Sequence, residues 1–454
     1  MGRLFGTDGI RGIANTELTP ELAFRIGRSA AYYFGQKQLQ QNKGTNDKPK
    51  IYIGRDTRIS SKMLAAALEA GICSSGGDVM QLGVIPTPAV SYLTRHHQAT
   101  FGIVVTASHN DFPDNGIKFF SNAGYKLSDA IEDELEQIIL APKDELPRPT
   151  ADKVGNIINS VHLLKEYVHF IKNLVEADLS KMKIVIDCAN GAAFESTPLA
   201  FKQLGVQITV LNSQPNGFNI NDDCGSTHMS KLQEAVVKYN ADLGIAHDGD
   251  ADRCLIVDEN GEIVDGDQIM LICALDMMRQ KKLAQDTLVA TVMSNIGLYK
   301  AMERSGAKVL TTQVGDRYVL EEMLSKSLNL GGEQSGHIIF SDHNTTGDGL
   351  LTAVKLASAL KNSGQKMSEL ANLMTRYPQL LINVRVNNKN NFNNNQTIKE
   401  AILAGEKELG NEGRILVRAS GTEPLVRVMA EGPSTEVLER IVHNIADTVK
   451  SEQV

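Results

Sequence analysis

Hydrophobic and polar positions repeat one order three times along the chain. Each repeat has a short apolar run rich in β-branched residues, then a polar turn, an amphipathic stretch, a glycine and a second apolar run. The first runs of the three repeats lie at 51–54, 183–187 and 288–292. Such units build βαβ crossovers and mostly parallel sheets, which bind ligands beyond the carboxyl ends of their strands. The pattern therefore predicts three similar mixed α/β domains.

The end of the chain follows a different pattern. An alternating run at 380–386 and strand-like runs at 414–417 and 426–430 are combined with helical periods at 396–409 and 437–449. This predicts a smaller α+β domain. Three breaks divide the chain into domains. They are a charged linker that contains prolines, a turn sequence and a Tyr-Pro pair. The predicted domains are 1–150, 151–256, 257–375 and 376–454.

Composition narrows the class of protein. The chain has 454 residues, 42% of them hydrophobic and 22% charged, as in ordinary globular proteins. A net charge of −8 argues against a nucleic-acid-binding protein. Five scattered cysteines favour reduced thiols over a disulfide framework, and no apolar run approaches the length of a membrane span. We expect a cytoplasmic protein that binds neither nucleic acid nor membranes.

Ser108 is the first candidate for chemistry. It follows a buried strand-like run at 102–107 and precedes His109 and Asn110 on a loop. A serine at such a place can simply cap a turn or a helix. No G-x-S-x-G motif surrounds it, so acyl transfer has no local support. As a carrier of phosphate it would need a metal ion and cations, because phosphoserine brings about two negative charges.

Three alternating carboxylates supply candidate ligands for that metal ion. Asp248, Asp250 and Asp252 follow the apolar run 243–246, and hard oxygen ligands favour Mg²⁺ over zinc. The EF-hand pattern fails at loop positions six and twelve. The alternative is a plain acidic turn, although neighbouring carboxylates repel unless something neutralises them. The three aspartates are thus the metal ligands predicted from the residues alone.

Three cations are candidates to offset this negative charge. They are Arg253, Lys118 and Arg11, of which Arg11 lies in a glycine-rich stretch at 5–12. Lys118 could also shuttle protons if neighbouring cations lowered its pKa.

Two further segments are typical of substrate binding. In 418–427, Arg418 and Arg427 flank a turn that can bind phosphate through backbone N–H groups, hydroxyls and guanidinium groups. The predicted phosphate-binding residues are Arg418, Ser420, Gly421, Thr422 and Arg427. A polar β-turn with a chance arginine pair is the alternative.

The second segment, 331–337, places a glutamate and a serine among three glycines. Glu333 and Ser335 suit the hydroxyls of a sugar, and the glycines permit close approach to the backbone. A simple glycine-rich turn would also explain the sequence. His337 is a candidate acid or base, or else a hydrogen-bonded loop histidine.

Together these segments resemble the α-D-phosphohexomutase superfamily over nearly the whole chain. The stretches that carry the resemblance are 5–12, 106–110, 114–120, 315–318 and 331–337. The last two, with 344–348, are similar to the glucosamine branch of the superfamily. The resemblance implies four domains around a central cleft and interconversion of glucosamine 6-phosphate and glucosamine 1-phosphate through glucosamine 1,6-bisphosphate.

The resemblance also implies roles for residues. Ser108 would be active as phosphoserine, and one Mg²⁺ per chain would be held by its phosphate with Asp248, Asp250 and Asp252. Glu333 and Ser335 would bind the 3- and 4-hydroxyls of the sugar, and segment 418–427 would bind the phosphate that does not react. The family further implies a homodimer that supplies amino sugar for cell-wall precursors.

Two rival functions use the same residues. A Mg²⁺-dependent phosphatase would transfer the phosphoryl group to water and would leave the second phosphate site without a purpose. A silent sensor of sugar phosphates would bind its ligand with Ser108 unmodified and without turnover. The phosphatase therefore predicts release of inorganic phosphate from a phosphosugar, whereas the sensor predicts no product.

Overall fold

The computed structural model describes residues 4–6, 8–41, 48–387, 394–419 and 424–453. The chain forms two compact units, which are described separately below. The first contains Met1–Val292 and Leu310–Ala371, and the second contains Met293–Val309 and Asn372–Val454.

The first sheet of the larger unit has six strands in the order β1-β5-β4-β2-β3-β6. Strands β2, β3, β4 and β6 run parallel, whereas β5 and β1 are antiparallel to their neighbours. The elements of this part are β1 (Ile10–Ile13), α1 (Pro20–Gln41), β2 (Lys50–Arg55), α2 (Ile59–Ser74), β3 (Asp78–Val84), α3 (Thr87–His96), β4 (Phe101–Val105), β5 (Asp114–Ser121), α4 (Asp129–Ile139) and β6 (Ile157–Asn159). The edge strand β6 follows the predicted domain border at residue 150.

The second sheet has five strands in the order β11-β10-β9-β7-β8. Strands β8, β7 and β9 are parallel, and β10 and β11 continue the sheet in antiparallel pairs. The elements are α5 (Leu164–Asn173), β7 (Lys183–Asp187), α6 (Ala193–Gln203), β8 (Gln207–Leu211), α7 (Ser230–Tyr239), β9 (Leu243–Ala246), β10 (Leu255–Asp258) and β11 (Ile263–Val264). The aspartates follow β9 at its carboxyl end.

The third sheet has four strands in the order β13-β12-β14-β15. Strand β14 is parallel to β12 and antiparallel to β15. The elements along this part of the chain are α8 (Gly266–Arg279), β12 (Thr287–Thr291), α9 (Ile296–Arg304), β13 (Lys308–Thr312), α10 (Asp316–Lys326), β14 (Leu330–Gly332), β15 (Ile338–Phe340), α11 (Gly349–Ser363) and α12 (Met367–Ala371). Helix α9 belongs to the smaller unit.

The smaller unit contains a fully antiparallel sheet in the order β16-β18-β17. Helix α14 packs against this sheet, and the core joins side chains such as Val428, Leu438 and Ile445. The elements are β16 (Gln379–Arg385), α13 (Gln396–Leu409), β17 (Arg414–Ala419), β18 (Leu425–Glu431) and α14 (Thr435–Gln453). The predicted strands and both predicted helices of this region are confirmed.

The predicted fold class is confirmed, because three mixed α/β sheets precede a smaller antiparallel α+β part. The predicted repeats appear as β2–α2–β3, β7–α6–β8 and β12–α9–β13. Alternation of apolar runs with amphipathic stretches was sufficient to find these elements. Among the described helices, none is both long and apolar enough to cross a lipid bilayer.

Helices α1 and α2 approach each other closely through two glycines. A Cβ atom on Gly71 would lie 2.1 Å from the carbonyl oxygen of Phe24, and one on Gly27 would lie 2.4 Å from that of Leu68. These carbonyls belong to helix backbone and cannot move aside alone. The pair of glycines therefore sets the distance between the two helices that cover one face of the first sheet.

We predict that Gly71→Ala destabilises the protein by about 1–3 kcal/mol, because the methyl group forces α1 away from α2. Alanine normally stabilises a helix by about 1 kcal/mol relative to glycine, so the expected sign is opposite to that of helix propensity. Thermal unfolding measures the effect. Lys62→Ala, on the exposed face of the same helix, is the control and should change little; an equal or higher Tm for Gly71→Ala would contradict the close approach.

Candidate functional site

Two loops at the carboxyl ends of parallel strands meet in the larger unit. The serine loop (106–113) follows β4, and the aspartate loop (247–253) follows β9. Ser108 Oγ donates a hydrogen bond of 2.6 Å to Asp248 Oδ2. The structure thus brings together the predicted serine and the predicted metal ligands, which are far apart in sequence.

Ser108 has a constrained backbone. Its φ of 52° lies in the left-handed region, which residues other than glycine rarely adopt. The side chain is only 2% exposed, and the backbone N–H donates to Thr106 Oγ1 at 3.0 Å. Such strain persists only where surrounding contacts impose it, and it is concentrated at functional sites.

Arg58 and Asn221 impose the shape of the serine loop. Arg58 is buried, and its guanidinium donates to the carbonyl oxygens of Ser108 at 3.0 Å and Asn110 at 2.7 Å, and also to that of Asp111. Asn221 Nδ2 donates to the carbonyls of Ser108 and Asn110, each at 2.9 Å. The loop backbone is therefore held from two sides.

The three aspartates of the aspartate loop form a buried cluster. Asp248, Asp250 and Asp252 each offer a carboxylate oxygen, and these atoms lie within 4.8 Å of one another. Thr87, at the start of α3, donates from Oγ1 to Asp250 Oδ2 at 2.7 Å, and its backbone N–H bonds the Asp250 carbonyl. Ala251, with a φ of 60°, turns the chain between the second and third carboxylates.

Lys118 is buried against this cluster. Its Nζ lies 2.9 Å from Asp250 Oδ2, 3.5 Å from Asp252 Oδ2 and 3.0 Å from Asp8 Oδ2. Burial alone would lower the pKa of Lys118, but the three carboxylates raise it well above its ordinary value. Proton shuttling by Lys118 would require neighbouring cations to lower its pKa, and this requirement is not met. Lys118 is therefore a fixed positive charge.

The charges of the cluster fit a divalent cation. Burial raises the pKa of Asp248 well above its ordinary value, and the charges of Asp252 and Asp250 raise it further. Within the described part of the chain, Asp250 Oδ1 and Asp252 Oδ1 are buried and accept no hydrogen bond. Buried carboxylate oxygens without donors are suited to a hard cation such as Mg²⁺, which would also favour ionised Asp248.

The two predicted arginines of the larger unit are placed differently. The backbone N–H of Arg253 donates to Asp248 Oδ1 at 3.3 Å, and its Nε lies 3.9 Å from Asp252 Oδ1. Burial would lower the pKa of Arg253, but nearby carboxylates, Asp248 first, raise it. Arg11, on β1, is exposed and pairs with Asp8 at 2.6 Å. Through Asp8, which also contacts Lys118, Arg11 joins the same charge network.

The candidate sugar-binding residues lie on a hairpin turn between β14 and β15. Glu333 and Ser335 are half-buried, and Glu333 Oε1 accepts from the Gly315 N–H at 3.1 Å. Gly336 turns the chain with a φ of 89°, and a Cβ there would lie 2.4 Å from the Cys254 carbonyl oxygen. The turn therefore packs directly against the end of the aspartate loop.

His337 ends this hairpin turn and is buried beside carboxylates. Its Nε2 lies 3.5 Å from Asp316 Oδ2 and 3.9 Å from Asp252 Oδ2. Neither ring nitrogen makes a hydrogen bond to any residue that the structure describes. Among the described residues, His337 therefore lacks the hydrogen bonds expected of a structural loop histidine.

In the smaller unit, Arg418 and Arg427 are directly opposite each other on β17 and β18. Both are half-buried, and burial together with the charge of Arg427 lowers the pKa of Arg418. Two adjacent guanidinium groups favour an anion between them. The other predicted members of this segment, Ser420, Gly421 and Thr422, lie outside the described residues.

Models of one protein family match four successive parts of the chain. They are the phosphoglucomutase/phosphomannomutase alpha/beta/alpha domains I, II and III, over residues 2–145, 165–261 and 265–377, and the C-terminal domain over 381–448. The chain belongs to the phosphoglucomutase/phosphomannomutase family. This family is the phosphohexomutase superfamily that the sequence motifs resemble, so the predicted relationship is confirmed.

Three full-length relatives at 51–53% identity share a single name. The chain is 51% identical to a phosphoglucosamine mutase of Brevibacillus brevis over 454 residues, which cover 100% of both chains. It is 53% identical to one of Desulforamulus reducens, with 99% of each chain covered. A third, of Symbiobacterium thermophilum, is 53% identical with both chains fully covered.

Solved structures of more distant family members share the fold. A phosphoglucomutase/phosphomannomutase family protein of Burkholderia thailandensis superposes with a TM-score of 0.80 at 24% identity, covering 99% of this chain and 97% of that one. The N-acetylphosphoglucosamine mutase of Aspergillus fumigatus, solved with GlcNAc-6P and magnesium, gives 0.72 at 18% identity, with coverages of 99% and 96%.

Sequence reasoning missed several residues that contact the candidate site. Lys126 forms ion pairs with Asp8 and Asp316, and the latter lies beside His337. Arg58 had one usable signal, since it ends a charged stretch between a buried strand and a helix. Asn221 had none, because it is 113 residues away from the serine it contacts.

His247, at the start of the aspartate loop, predicts a dependence of stability on pH. It is fully buried between Thr197 Oγ1 at 3.1 Å and the Arg253 carbonyl at 3.0 Å, and burial lowers its pKa to about 4. The unfolded chain binds this proton near pH 6.5 and the folded chain near pH 4. The contribution of neutral His247 to the free energy of unfolding is therefore fully present above pH 6.5 and is lost as the pH falls towards 4.

We predict that the buried His247 lowers the free energy of unfolding of the wild-type protein by about 2 kcal/mol when the pH falls from 7.5 to 5.0. His247→Gln should be less stable at pH 7.5 but should lose about 2 kcal/mol less on acidification. Urea unfolding at the two pH values measures the difference. His443→Gln, at an exposed histidine, is the control and should follow wild type. Parallel pH dependences for His247→Gln and wild type would show that the histidine is not buried as a neutral group.

Proposed function

We propose that this chain is a phosphoglucosamine mutase, which interconverts glucosamine 6-phosphate and glucosamine 1-phosphate through the 1,6-bisphosphate. The observation that carries the proposal is the hydrogen bond from Ser108 to Asp248 within a buried cluster of three aspartates. Full-length relatives at 51–53% identity bear this name. A serine presented to metal ligands and fixed cations suits phosphoryl transfer, which depends on positioning and charge stabilisation.

Ser108 is the proposed phosphoryl carrier, and Asp248, Asp250 and Asp252 are the proposed ligands of one Mg²⁺. The unpartnered carboxylate oxygens and the raised pKa of Asp248, caused by burial and by its two neighbours, support this assignment. When bound with the Ser108 phosphate, Mg²⁺ neutralises charge on the oxygens of the transferring group. Lys118 and Arg253 supply the remaining positive charge from the protein.

The transfer breaks the bond between Ser108 Oγ and phosphorus and forms one from phosphorus to a sugar hydroxyl oxygen. The hydroxyl proton must leave, and Ser108 Oγ must regain a proton. His337 is the proposed proton acceptor, because its ring nitrogens have no hydrogen-bond partner among the described residues. Asp316 and Asp252, 3.5 and 3.9 Å from Nε2, would stabilise the imidazolium that forms.

The bisphosphate must then reverse its orientation, so that its original phosphate returns to Ser108. The phosphate that does not react therefore needs one site that accepts either end of the sugar. We assign it to Arg418 and Arg427 with Ser420, Gly421 and Thr422, and the arginine pair on adjacent strands supports this. Arg11 would contribute charge at the mouth of the cleft, and Glu333 and Ser335 would bind the sugar hydroxyls.

The wider setting of the enzyme is also part of the proposal. We expect a homodimer in the cytoplasm that supplies amino sugar for cell-wall precursors. All five cysteines are free, and four of them are buried, in keeping with a reducing compartment.

Phosphorus NMR tests the proposed reaction. The protein is incubated with glucosamine 6-phosphate, Mg²⁺ and a trace of the 1,6-bisphosphate, and in parallel with glucose 6-phosphate. We expect glucosamine 1-phosphate without inorganic phosphate, and faster conversion of the amino sugar. Release of inorganic phosphate would instead establish a phosphatase. An unchanged spectrum with verified phosphorylated protein would indicate a sensor.

We predict that Ser108→Ala lowers mutase turnover at least about 10³-fold while the protein remains folded, because the phosphoryl carrier is removed. A coupled assay of glucosamine 1-phosphate formation and a thermal melt measure the two properties. Ser325→Ala removes an exposed serine hydroxyl elsewhere in the larger unit and should retain wild-type turnover. Near-normal activity of Ser108→Ala would refute the phosphoserine mechanism.

A further inference from the structure

A second group of metal-ligating side chains lies outside the phosphosugar site. In the described part of the chain, two groups of three such residues have ligand atoms within 4.8 Å of one another. One is the aspartate cluster, and the other is His96, His97 and Glu166. His96 is the last residue of α3, His97 follows it, and Glu166 lies on α5.

Each histidine of this second group contacts one oxygen of the Glu166 carboxylate, at about the distance that separates neighbouring ligands of a zinc ion. His96 Nε2 is 3.5 Å from Glu166 Oε1, and His97 Nε2 is 3.1 Å from Glu166 Oε2. Ligands bound to zinc at about 2.0–2.1 Å in a tetrahedron are about 3.3 Å apart. All three ligand atoms lie within 4.8 Å of one another, so a shared metal ion requires them to approach one another by at most about 1.5 Å.

Aromatic neighbours hold both imidazole rings in place. His96 stacks on Tyr92, with centroids 5.2 Å apart and planes at 14°, and Tyr92 in turn stacks on Phe170 at 4.1 Å. His97 packs against Tyr52 at 5.8 Å. Because the rings are already oriented, less side-chain entropy is lost when a metal ion binds.

We propose that His96, His97 and Glu166 bind Zn²⁺, or a similar borderline divalent transition-metal ion, and thereby link the end of α3 to α5. Two imidazole nitrogens and one carboxylate oxygen favour such ions, whereas Mg²⁺ prefers oxygen ligands alone. The side chains are 50%, 32% and 37% exposed, so the ion can enter from solvent and water can complete its coordination. The site is independent of the proposed mutase function.

Binding should be detectable beyond the site itself. Helix α3 begins at Thr87, which contacts Asp250, and ends at the histidine pair. A metal ion at its end would restrain α3 against α5 and reduce local opening of both helices. Hydrogen exchange of the amides near His96 and Glu166 should therefore slow when Zn²⁺ is added.

Equilibrium dialysis of the full chain against Zn²⁺, with excess Mg²⁺ to occupy the aspartate cluster, measures the number of zinc ions retained. Wild type should retain about one more zinc per chain than His97→Ala or Glu166→Gln. His443→Ala, which removes an exposed histidine from α14, should match wild type. Circular dichroism and mutase activity verify that each variant is folded.

The proposal would be overturned if wild type, His97→Ala and Glu166→Gln retained equal numbers of zinc ions. It would also be overturned if His443→Ala lost as much zinc as the site variants, because this would indicate adventitious binding by surface histidines. Hydrogen exchange of the wild-type protein is a second test of the zinc site, and it needs no variant. Zinc-dependent slowing at the end of α3 and in α5 supports the site. Unchanged exchange there at saturating zinc contradicts it, and a simple ion pair between Glu166 and the histidines would then explain the geometry.

Discussion

The buried ammonium group of Lys118 is the interaction on which the site depends. It comes from β5 in the first sheet and contacts Asp250 and Asp252 of the aspartate loop, as well as Asp8. Without it, Asp250 would be buried with no ion-pair partner among the described residues, which would strongly destabilise the fold. Lys118 therefore allows the aspartate loop to pack against the first sheet, where Ser108 lies.

Asp248 is not fully compensated by the cations around the cluster. The charge of Arg253 lowers the pKa of Asp248, but burial and the charges of Asp252 and Asp250 outweigh it and raise this pKa well above its ordinary value. A divalent cation would complete the balance. Meanwhile Arg58 and Asn221 fix the serine loop in its left-handed turn. Attraction to a cation and a rigid loop together support the proposal that Ser108 carries phosphate beside a metal ion.

The sequence predicted the repeated strands and helices well, because their periodicity is local. It also singled out Ser108 and the three aspartates, which the structure brings together. Lys118 was predicted to offset the charge of the aspartates, and it contacts two of them. The sequence failed where long-range packing decides, because Asn221 has no local signal for its contact with Ser108. Strand β6 joins the first sheet beyond a proline-bearing linker, since partners of an edge strand are not encoded in its own residues.

The central claim is that Ser108 gives its own phosphoryl group to the sugar. A single-turnover experiment tests it most directly: protein carrying a ³²P label on Ser108 is mixed with glucosamine 6-phosphate and Mg²⁺ and quenched at intervals. We expect label to leave the protein as fast as it appears in sugar bisphosphate and glucosamine 1-phosphate. Label that stays on Ser108 while product forms, or that passes to inorganic phosphate, would contradict it.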